Sequence, residues 1–234
     1  MTCLCKQIAG NDIELSPTCI GNLWIFQGLA PENVQALAKE ALRKKMKKGD
    51  TVFMQGDPAN EVFLIKGGRI KLTKVLEDGT ELMLDLRKAG DFVGENMFSE
   101  EGEYPVSAVC MEDTLTCGFT RSQFEELVLN NPTVGLQVIK TLSERISWLT
   151  TRVGNLAVAN IEDRLYKVLC NVAKEHGEQR PQGMMIQFPL THEDLSFLIG
   201  THRVTVTRAM KALKETGKII FENRRLILPS LAAS

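Results

Sequence analysis

Residues 191–213 have the pattern of two short helices joined by a tight turn, and this motif constrains the chain more than any other. Thr191 is placed to cap the first helix, with Asp194 at the third position of a near capping box. Gly200 follows, where a left-handed residue ends a helix, and Thr201 is placed to cap the second helix. Apolar residues recur at helical spacing on both helices, namely Leu195, Leu198, Ile199, Val206, Ala209, Met210 and Leu213. The pattern predicts a helix-turn-helix, whose second helix lies in the major groove of DNA.

The other side of the second helix is polar and basic, and we predict that it faces DNA. Its residues are Thr201, His202, Arg203, Val204, Thr205, Thr207, Arg208 and Lys211. An ordinary helical hairpin with a solvated charged face has the same spacing, so the flanking sequence is needed to distinguish it from a DNA-binding motif. Two apolar runs, 219–221 and 226–228, surround a polar Glu-Asn-Arg-Arg turn and predict a β-hairpin. This hairpin is the wing of a winged helix, and Arg224 and Arg225 at its tip are expected near phosphate.

The charge of the chain is unevenly distributed. The net charge is −1, yet residues 160–234 carry 11 Lys and Arg against 8 Asp and Glu, and the preceding residues carry 17 against 21. A basic DNA-reading part attached to an acidic sensor fits DNA binding better than the net charge does. We expect no enzyme, because no nucleophile–histidine–acid grouping, phosphate-binding loop or paired metal motif occurs.

No apolar run reaches the roughly 18 residues of a membrane span, and the first residues are no secretory signal. We therefore expect a cytoplasmic protein with no membrane partner. Six cysteines in that compartment favour reduced thiols, metal ligands or redox switches over a structural disulfide framework.

Short apolar runs separated by glycine turns fill residues 48–120. Turns at this spacing predict a small antiparallel barrel or jelly roll, which can enclose a ligand pocket or have a filled core. The sequence Glu-Asp-Gly-Thr at 77–80 is a strong hairpin turn.

A long helix is predicted from Thr133 to Ala159. Its apolar stripe consists of Val134, Val138, Leu142, Ile146, Leu149, Val153 and Leu156. At 1.5 Å per residue this helix is about 40 Å long, too long for so small a roll to cover. We expect the stripe to meet its copy in a homodimer, which would present two recognition helices to a palindromic site. Packing wholly inside one chain is the alternative.

The order of these parts, over about residues 26–228, resembles the Crp/Fnr family of bacterial transcription regulators. The resemblance is carried by Lys-Gly-Asp at 48–50, Gly-Asp at 56–57, Gly-Arg-Ile-Lys at 68–71, Gly-Asp-Phe-Val-Gly-Glu at 90–95, Val-Gly-Asn-Leu-Ala at 153–157 and Thr-Val-Thr-Arg at 205–208. It implies an α+β fold with an N-terminal cyclic-nucleotide-binding-type β-roll, a long dimerisation helix and a C-terminal winged helix-turn-helix. The expected parts are a cysteine-bearing tail (1–25), the roll with flanking helices (26–131), the dimerisation helix (132–159) and the DNA-binding domain (160–234).

The resemblance implies a dimeric transcription regulator that binds a specific DNA site, and RNA polymerase if it activates. A ligand-binding sensor module without transcriptional output is the alternative of another class, but such a module would lack the winged helix.

Members of the cyclic-AMP branch hold the ligand phosphate with an Arg-Ser pair that follows a Gly-Glu turn. Here Gly94 and Glu95 form that turn, but the later pair reads Val106 and Ser107. The pair on the long helix, Thr-Ser in that branch, reads Leu149 and Thr150. These six residues are the predicted effector pocket. Without the arginine a buried phosphate would lack its fork of donors, so we expect no useful binding of cyclic AMP.

Residues 104–117 are similar to the Fnr-like oxygen sensors around their fourth cluster cysteine, and Cys117 takes that place. Cys3, Cys5 and Cys19 lie in the N-terminal region that supplies the other three ligands, although their spacing differs from the compact trio of that branch. The chain therefore looks nearer to the Fnr-like branch, with an iron–sulfur cluster as one candidate cofactor.

Other signals stay open. A thiol switch needs only one tail cysteine with Cys117 or Cys110, and a small organic ligand other than cyclic AMP could occupy the roll. The roll cysteines can also be buried apolar residues. Haem in the roll would need a Cys, Met or terminal ligand, because His176, His192 and His202 all lie in the DNA-binding half.

In the family, an Arg-Glu or Val-Glu pair early in the recognition helix, with a later Arg, reads a G·C pair. The matching positions here are Arg203, Val204 and Arg208. Val204 can offer only apolar contact, for example to a thymine methyl, whereas a glutamate would accept from cytosine. We predict a palindromic A/T-rich site. It should differ from the family's usual half-site at the base pair that the glutamate contacts.

Overall fold

The computed structural model describes residues 41–156, 158–186, 188, 190–223 and 225–231. The chain divides into two compact units, Met1–Ser143 and Glu144–Ser234. The α+β class is confirmed, with an antiparallel β-roll, a long helix and a winged helix-turn-helix in the expected order. Among the described residues, no helix is long and apolar enough to cross a membrane.

The first unit contains a β-roll of two four-stranded antiparallel sheets. Its strands are β1 (Leu42–Met46), β2 (Thr51–Phe53), β3 (Glu61–Gly67), β4 (Arg69–Val75), β5 (Glu81–Lys88), β6 (Phe92–Val93), β7 (Ser107–Cys110) and β8 (Thr114–Thr120). A 3-10 helix at Glu95–Phe98 lies between β6 and β7. The strand orders are β1-β8-β3-β6 and β2-β7-β4-β5. The chain continues into α1 (Arg121–Asn130) and α2 (Pro132–Leu156).

Glycine turns set the strand lengths, as the sequence indicated. The predicted turn at 77–80 joins β4 to β5, with Gly79 at φ 82 and the Asp78 carboxylate accepting from the Thr80 N–H at 2.9 Å. Gly68 separates β3 from β4 at φ 85, and a Cβ there would lie 2.6 Å from the Asp113 carbonyl and collide with Thr114. Only glycine fits this position, because both the backbone angle and the space exclude a side chain.

The core of the roll is apolar and aromatic. Phe53 stacks on Tyr104 with ring centroids 3.9 Å apart and contacts Phe63 at 6.0 Å. The Tyr104 hydroxyl donates to the Glu61 carbonyl at 2.6 Å, so this buried ring keeps its polar atom paired. Ile65, Ile70, Val93 and Ala108 are fully buried around it.

Helix α2 begins one residue before the predicted start and ends at Leu156, three residues before the predicted end. The first part of its predicted stripe was wrongly assigned to a second subunit. Val134 is buried, and Val138 and Leu142 pack against the roll core of their own chain. Ile146 and Val153 of the predicted stripe are 64% and 68% exposed. Ile139, which was not part of that stripe, is 61% exposed and extends the repeat of seven residues.

The second unit contains a helical core covered by a small sheet. Its elements are α3 (Ile161–His176), β9 (Glu178–Arg180), β10 (Gly183–Ile186), α4 (His192–Ile199), α5 (Arg203–Glu215), β11 (Ile220–Glu222), β12 (Arg225–Leu228) and a 3-10 helix at Pro229–Leu231. The sheet order is β11-β12-β10-β9, all antiparallel. Apolar side chains of α3, α4, α5 and β12 are fully buried together, among them Leu165, Leu195, Leu213 and Ile227.

Candidate DNA interface and effector region

The turn between α4 and α5 is fixed by two motifs that the sequence indicated. Thr191 caps α4: its hydroxyl accepts from the Asp194 N–H at 3.0 Å, and the Asp194 carboxylate accepts from the Thr191 N–H at 3.0 Å. This confirms the capping box with Asp in place of Glu. Gly200 ends α4 in the left-handed region at φ 65, and the Thr201 N–H donates to the Ser196 carbonyl at 3.0 Å. The second helix therefore leaves the first at a defined angle.

The prediction that Thr201 caps α5 is wrong by one residue. The cap is His202, which makes no side-chain capping hydrogen bond, and its carbonyl accepts from the Val206 N–H at 3.1 Å. The first backbone hydrogen bonds of α5 end on the His202 carbonyl, and the Thr201 N–H closes α4, so Thr201 belongs to the turn.

Helix α5 separates a buried face from an exposed one. Val206, Ala209, Met210 and Leu213 are buried, as expected for the core side of a recognition helix. The predicted DNA-facing residues lie on the other side: His202, Arg203, Val204, Thr207, Arg208 and Lys211 are exposed, and Thr201 and Thr205 are half-buried. The structure thus brings the predicted interface residues of this helix onto one accessible surface.

Two side chains on that surface have distinct surroundings. Val204 is 62% exposed in the first turn of α5, an apolar side chain on an otherwise polar face. The Thr207 hydroxyl donates to the Arg203 carbonyl at 3.0 Å and lies 2.9 Å from His192 Nδ1. The hydroxyl of Thr207 is therefore engaged within the motif, whereas the side chain of Val204 is exposed to solvent.

The wing is confirmed as the β11–β12 hairpin. Its strands pair in register from Ile220↔Ile227 to Glu222↔Arg225, and Asn223 at the tip is left-handed with φ 48. Arg225 is exposed, and Arg224 lies outside the described residues. The Lys214 ammonium lies 6.0 Å from the Phe221 ring centroid and connects the end of α5 to the wing.

In the roll, the predicted Gly94–Glu95 turn is present and crowded. Gly94 has φ 94, and a Cβ there would lie 2.6 Å from the Glu61 carbonyl and 3.3 Å from the Tyr104 ring. Glu95 begins the 3-10 helix and accepts a hydrogen bond from Arg87 Nη2 at 3.0 Å.

Arg87 is a central residue of this region that the sequence reasoning missed. Its Nε lies 2.9 Å from the Asp85 carboxylate, and the side chains of Arg87 and Asp85 are each only 6% exposed. Burial lowers the pKa of Arg87, but the facing carboxylates of Glu95, Asp85 and Asp91 outweigh it and leave the pKa above its ordinary value. The guanidinium is therefore charged and held between two acidic partners. The available signal was a charged residue next to the apolar Leu86 in a strand.

The remaining predicted pocket residues have structural partners or lie elsewhere. Val106 packs half-buried against the roll core, and the Ser107 hydroxyl accepts from the Gln55 N–H at 2.9 Å. Leu149 and Thr150 are exposed on the part of α2 that belongs to the second unit, and Thr150 donates to the Ile146 carbonyl at 2.9 Å. Only four of the six predicted pocket residues therefore belong to the roll.

The roll cysteines are buried thiols. Cys117 on β8 has no exposed surface, and its backbone pairs with Arg43 of β1 and Leu64 of β3. Cys110 on β7 is also buried, and this burial raises the pKa of its thiol. Cys3, Cys5 and Cys19 lie outside the described residues. Among the residues that are described, no group of three or more His, Cys, Asp or Glu side chains could hold a metal ion.

Both units match known protein families. Residues 43–131 match the cyclic nucleotide-binding domain, and residues 163–233 match the Crp-like helix-turn-helix domain. The CRP-like cAMP-activated global transcriptional regulator of Mycobacterium tuberculosis is 25% identical over 204 residues, which cover 87% of this chain and 91% of that protein. The anaerobic regulatory protein of Bacillus subtilis is 28% identical over 196 residues, covering 83% and 82% of the two chains.

The fold also matches solved structures. A CooA mutant from Carboxydothermus hydrogenoformans superposes with a TM-score of 0.72 at 24% identity, covering 93% of this chain and 94% of that one. The cAMP-activated regulator and the anaerobic regulatory protein thus match this chain at similar identity. The similarity does not decide between the cyclic-AMP branch and the Fnr-like branch.

Proposed function

Since the chain belongs to the Crp/Fnr family, with an effector-binding domain and a helix-turn-helix DNA-binding domain, we propose that it is a homodimeric transcription regulator. In this proposal the dimer binds a palindromic A/T-rich DNA site and responds to a signal other than cyclic AMP. Its relatives are transcription regulators and not enzymes. In this proposal the dimer contacts RNA polymerase where it activates. The observation that carries DNA reading is the accessible face of α5.

The α5 face combines charge with one apolar contact. Arg203, Arg208 and Lys211 are exposed around Val204. The basic side chains suit phosphates or guanine, and the valine suits a thymine methyl. Selection from random duplexes, with sequencing of the bound pool, should recover a two-fold symmetric A/T-rich site. Arg208→Ala should weaken binding to that site by about 1–3 kcal/mol, and recovery of no symmetric sequence would count against the proposal.

The exposed seam of α2 supports the homodimer. Ile139, Ile146 and Val153 repeat every seven residues, as in the seam of a two-stranded coiled coil, and each is more than half exposed. A second copy of the same helix presents the matching seam, so a two-fold axis buries both. That symmetry would also align two recognition helices with a palindrome.

The roll is poorly suited to cyclic AMP. Val106 stands where the cyclic-AMP branch has its phosphate-binding arginine, and the buried Arg87 of the same roll is engaged by Asp85 and Glu95. A phosphate in the roll would therefore lack a free fork of donors and would meet two carboxylates. Calorimetry with cyclic AMP should give no heat of tight binding. Micromolar binding would overturn this part of the proposal.

Two kinds of signal have separate support. The similarity of residues 104–117 to the Fnr-like branch supports a cluster or thiol signal that uses Cys117 with the tail cysteines Cys3, Cys5 and Cys19. The complete burial of Cys117 argues against such chemistry, because a thiol in the core does not meet reagents in solution, and it leaves a small organic ligand in the roll as the alternative. The absorption spectrum of the anaerobically purified chain tests for a metal cofactor. A broad brown absorption supports the cluster, a Soret band indicates haem, and a colourless sample argues against both and leaves a thiol switch or an organic ligand.

A further inference from the structure

Arg164, in the first turn of α3, holds two backbone segments that are far apart in the sequence. Its Nε and Nη2 donate to the Val158 carbonyl at 2.9 and 2.6 Å, and its Nη1 donates to the Ile199 carbonyl at 2.9 Å. The guanidinium thus uses both of its edges on main-chain oxygens, and the three bonds are charge-assisted.

The two carbonyls belong to segments with different tasks. Val158 lies in the connection between α2 and α3, and Ile199 is the last residue of α4, directly before the turn at Gly200. Carbonyls at a helix end have no partner within the helix, so a donor from outside fixes how the end is placed. A planar guanidinium also fixes the angle between two acceptors, which a lysine cannot do.

The position of Arg164 is itself determined. Its N–H donates to the Asn160 carbonyl at 3.0 Å, and the adjacent Leu165 is fully buried. The same turn of α3 also holds the segment before the wing, because Lys218 Nζ lies 3.3 Å from the Asp163 carboxylate and 5.4 Å from the Tyr166 ring centroid. The connection, the helix-turn-helix turn and the start of the wing therefore meet at residues 163–166.

We infer that Arg164 is a positioning residue that joins the conformation of the 158–160 connection to the placement of the recognition helix. This inference rests on the proposed function, since it concerns how a regulatory change reaches the DNA-reading surface. With Arg164 in place, a shift of the connection displaces the Ile199 carbonyl and with it the start of α5. Because coupling is reciprocal, DNA held by α5 must also restrain the connection.

The test uses hydrogen exchange of two backbone amides in the full chain. The Asp163 N–H donates to the Asn160 side chain and reports on the connection, and the Thr201 N–H donates to Ser196 and reports on the turn. In the free chain, Arg164→Met should speed exchange at both amides about tenfold, as expected for losing charged hydrogen bonds. Lys167→Met, an exposed cation on the same helix, is the matched control and should change neither.

The second arm adds the DNA duplex selected by the native chain. In the native chain, DNA should slow exchange at both Thr201 and Asp163. In Arg164→Met, DNA should still slow exchange at Thr201 but should no longer slow it at Asp163. Arg164→Lys keeps the charge but lacks the planar fork that fixes the angle between the two carbonyls, so it should also lose the response at Asp163 while remaining folded.

Unchanged exchange in the free Arg164→Met chain overturns the inference. An equal slowing at Asp163 in native and variant chains overturns it as well. If the native chain selects no duplex, the proposed function fails, and the comparison of the free chains still decides whether Arg164 joins the two segments.

Discussion

Arg87 and Glu95 form a hydrogen-bonded ion pair inside the roll, with Nη2 donating to Oε1 at 3.0 Å. Together with Asp85 the pair closes a group of charges that supports the Gly94–Glu95 turn from within. Arg87→Met removes the guanidinium that faces both carboxylates and leaves their charges without it. We expect a loss of about 3–5 kcal/mol in the free energy of unfolding, as for breaking a buried ion pair.

Urea titration followed by circular dichroism measures that loss. Arg121→Met is the matched control, because its ion pair with Glu125 is half-exposed on a helix surface and should contribute little. Equal effects of the two substitutions would show that the Arg87 group does not stabilise the roll.

Gly68 and Gly79 share a backbone conformation but differ in surroundings. Both have φ near 80°, yet a Cβ at Gly68 would meet the Asp113 carbonyl at 2.6 Å, whereas nothing lies within 4 Å of a Cβ at Gly79. Gly79→Ala should cost about 1–2 kcal/mol for the left-handed backbone alone. Gly68→Ala should cost clearly more, because the β3–β4 turn must also move. Thermal unfolding of both variants checks this order, and a Gly68→Ala variant as stable as Gly79→Ala would contradict it.

Val204 predicts a specific change in base preference. Val204→Glu supplies an acceptor for the amino group of cytosine, so the selected half-site should gain a G·C pair at that position. The expected discrimination is about 1–3 kcal/mol for one base pair. Val204→Met, of similar length but without a strong hydrogen-bond acceptor, is the control. Sequencing of pools selected by the three proteins gives the answer, and an unchanged preference with Val204→Glu would refute the assignment of this position.

If the exposed seam of α2 is the dimer interface, one charged substitution in it should dissociate the proposed dimer. Ile146→Asp places a carboxylate at the centre of the seven-residue repeat and should give a monomer, because a charge buried between two helices is not compensated. Glu144→Lys also changes a charge, two residues away and on the other side of the helix, and should leave the dimer intact. Sedimentation velocity at micromolar concentration distinguishes the species. A dimeric Ile146→Asp chain would exclude this seam as the interface.

Cys110 predicts a shifted pH dependence of alkylation. Burial raises the pKa of this thiol, so at a pH where a free thiol is half ionised a smaller fraction of Cys110 is present as the thiolate. The rate of its reaction with iodoacetamide should therefore rise only at higher pH, and at pH 8.5 it should be far below the rate in the urea-unfolded chain. Peptide mass spectrometry assigns the rate to Cys110, with Cys110→Ser as the control. Equal rates in folded and unfolded chains would contradict the prediction.

Local signals in the sequence were enough for the DNA-reading unit. The capping box at Thr191, the left-handed Gly200 and the buried stripe of α5 depend on neighbours within four residues, and all three are observed. The error at Thr201 is equally local. The first backbone hydrogen bonds of α5 end on the His202 carbonyl, one residue beyond the predicted cap.

Contacts between distant residues could not be predicted in this way. Arg164 donates to the carbonyl of a residue 35 positions away in the sequence, and no periodic pattern predicts that hydrogen bond. Arg87 looked like an ordinary strand residue until the fold placed Glu95 in front of it. The packing of Val134 and Val138 on the roll likewise depends on tertiary structure, since the same stripe would fit a neighbouring subunit equally well.

The homodimer proposed from the exposed repeat of Ile139, Ile146 and Val153 has a consequence for gene dosage. While most chains are monomers, the concentration of the dimer is proportional to the square of the total chain concentration. Halving expression would then lower promoter occupancy about fourfold in that regime, by mass action alone. Gene copy number would therefore act on the response alongside whatever the roll detects.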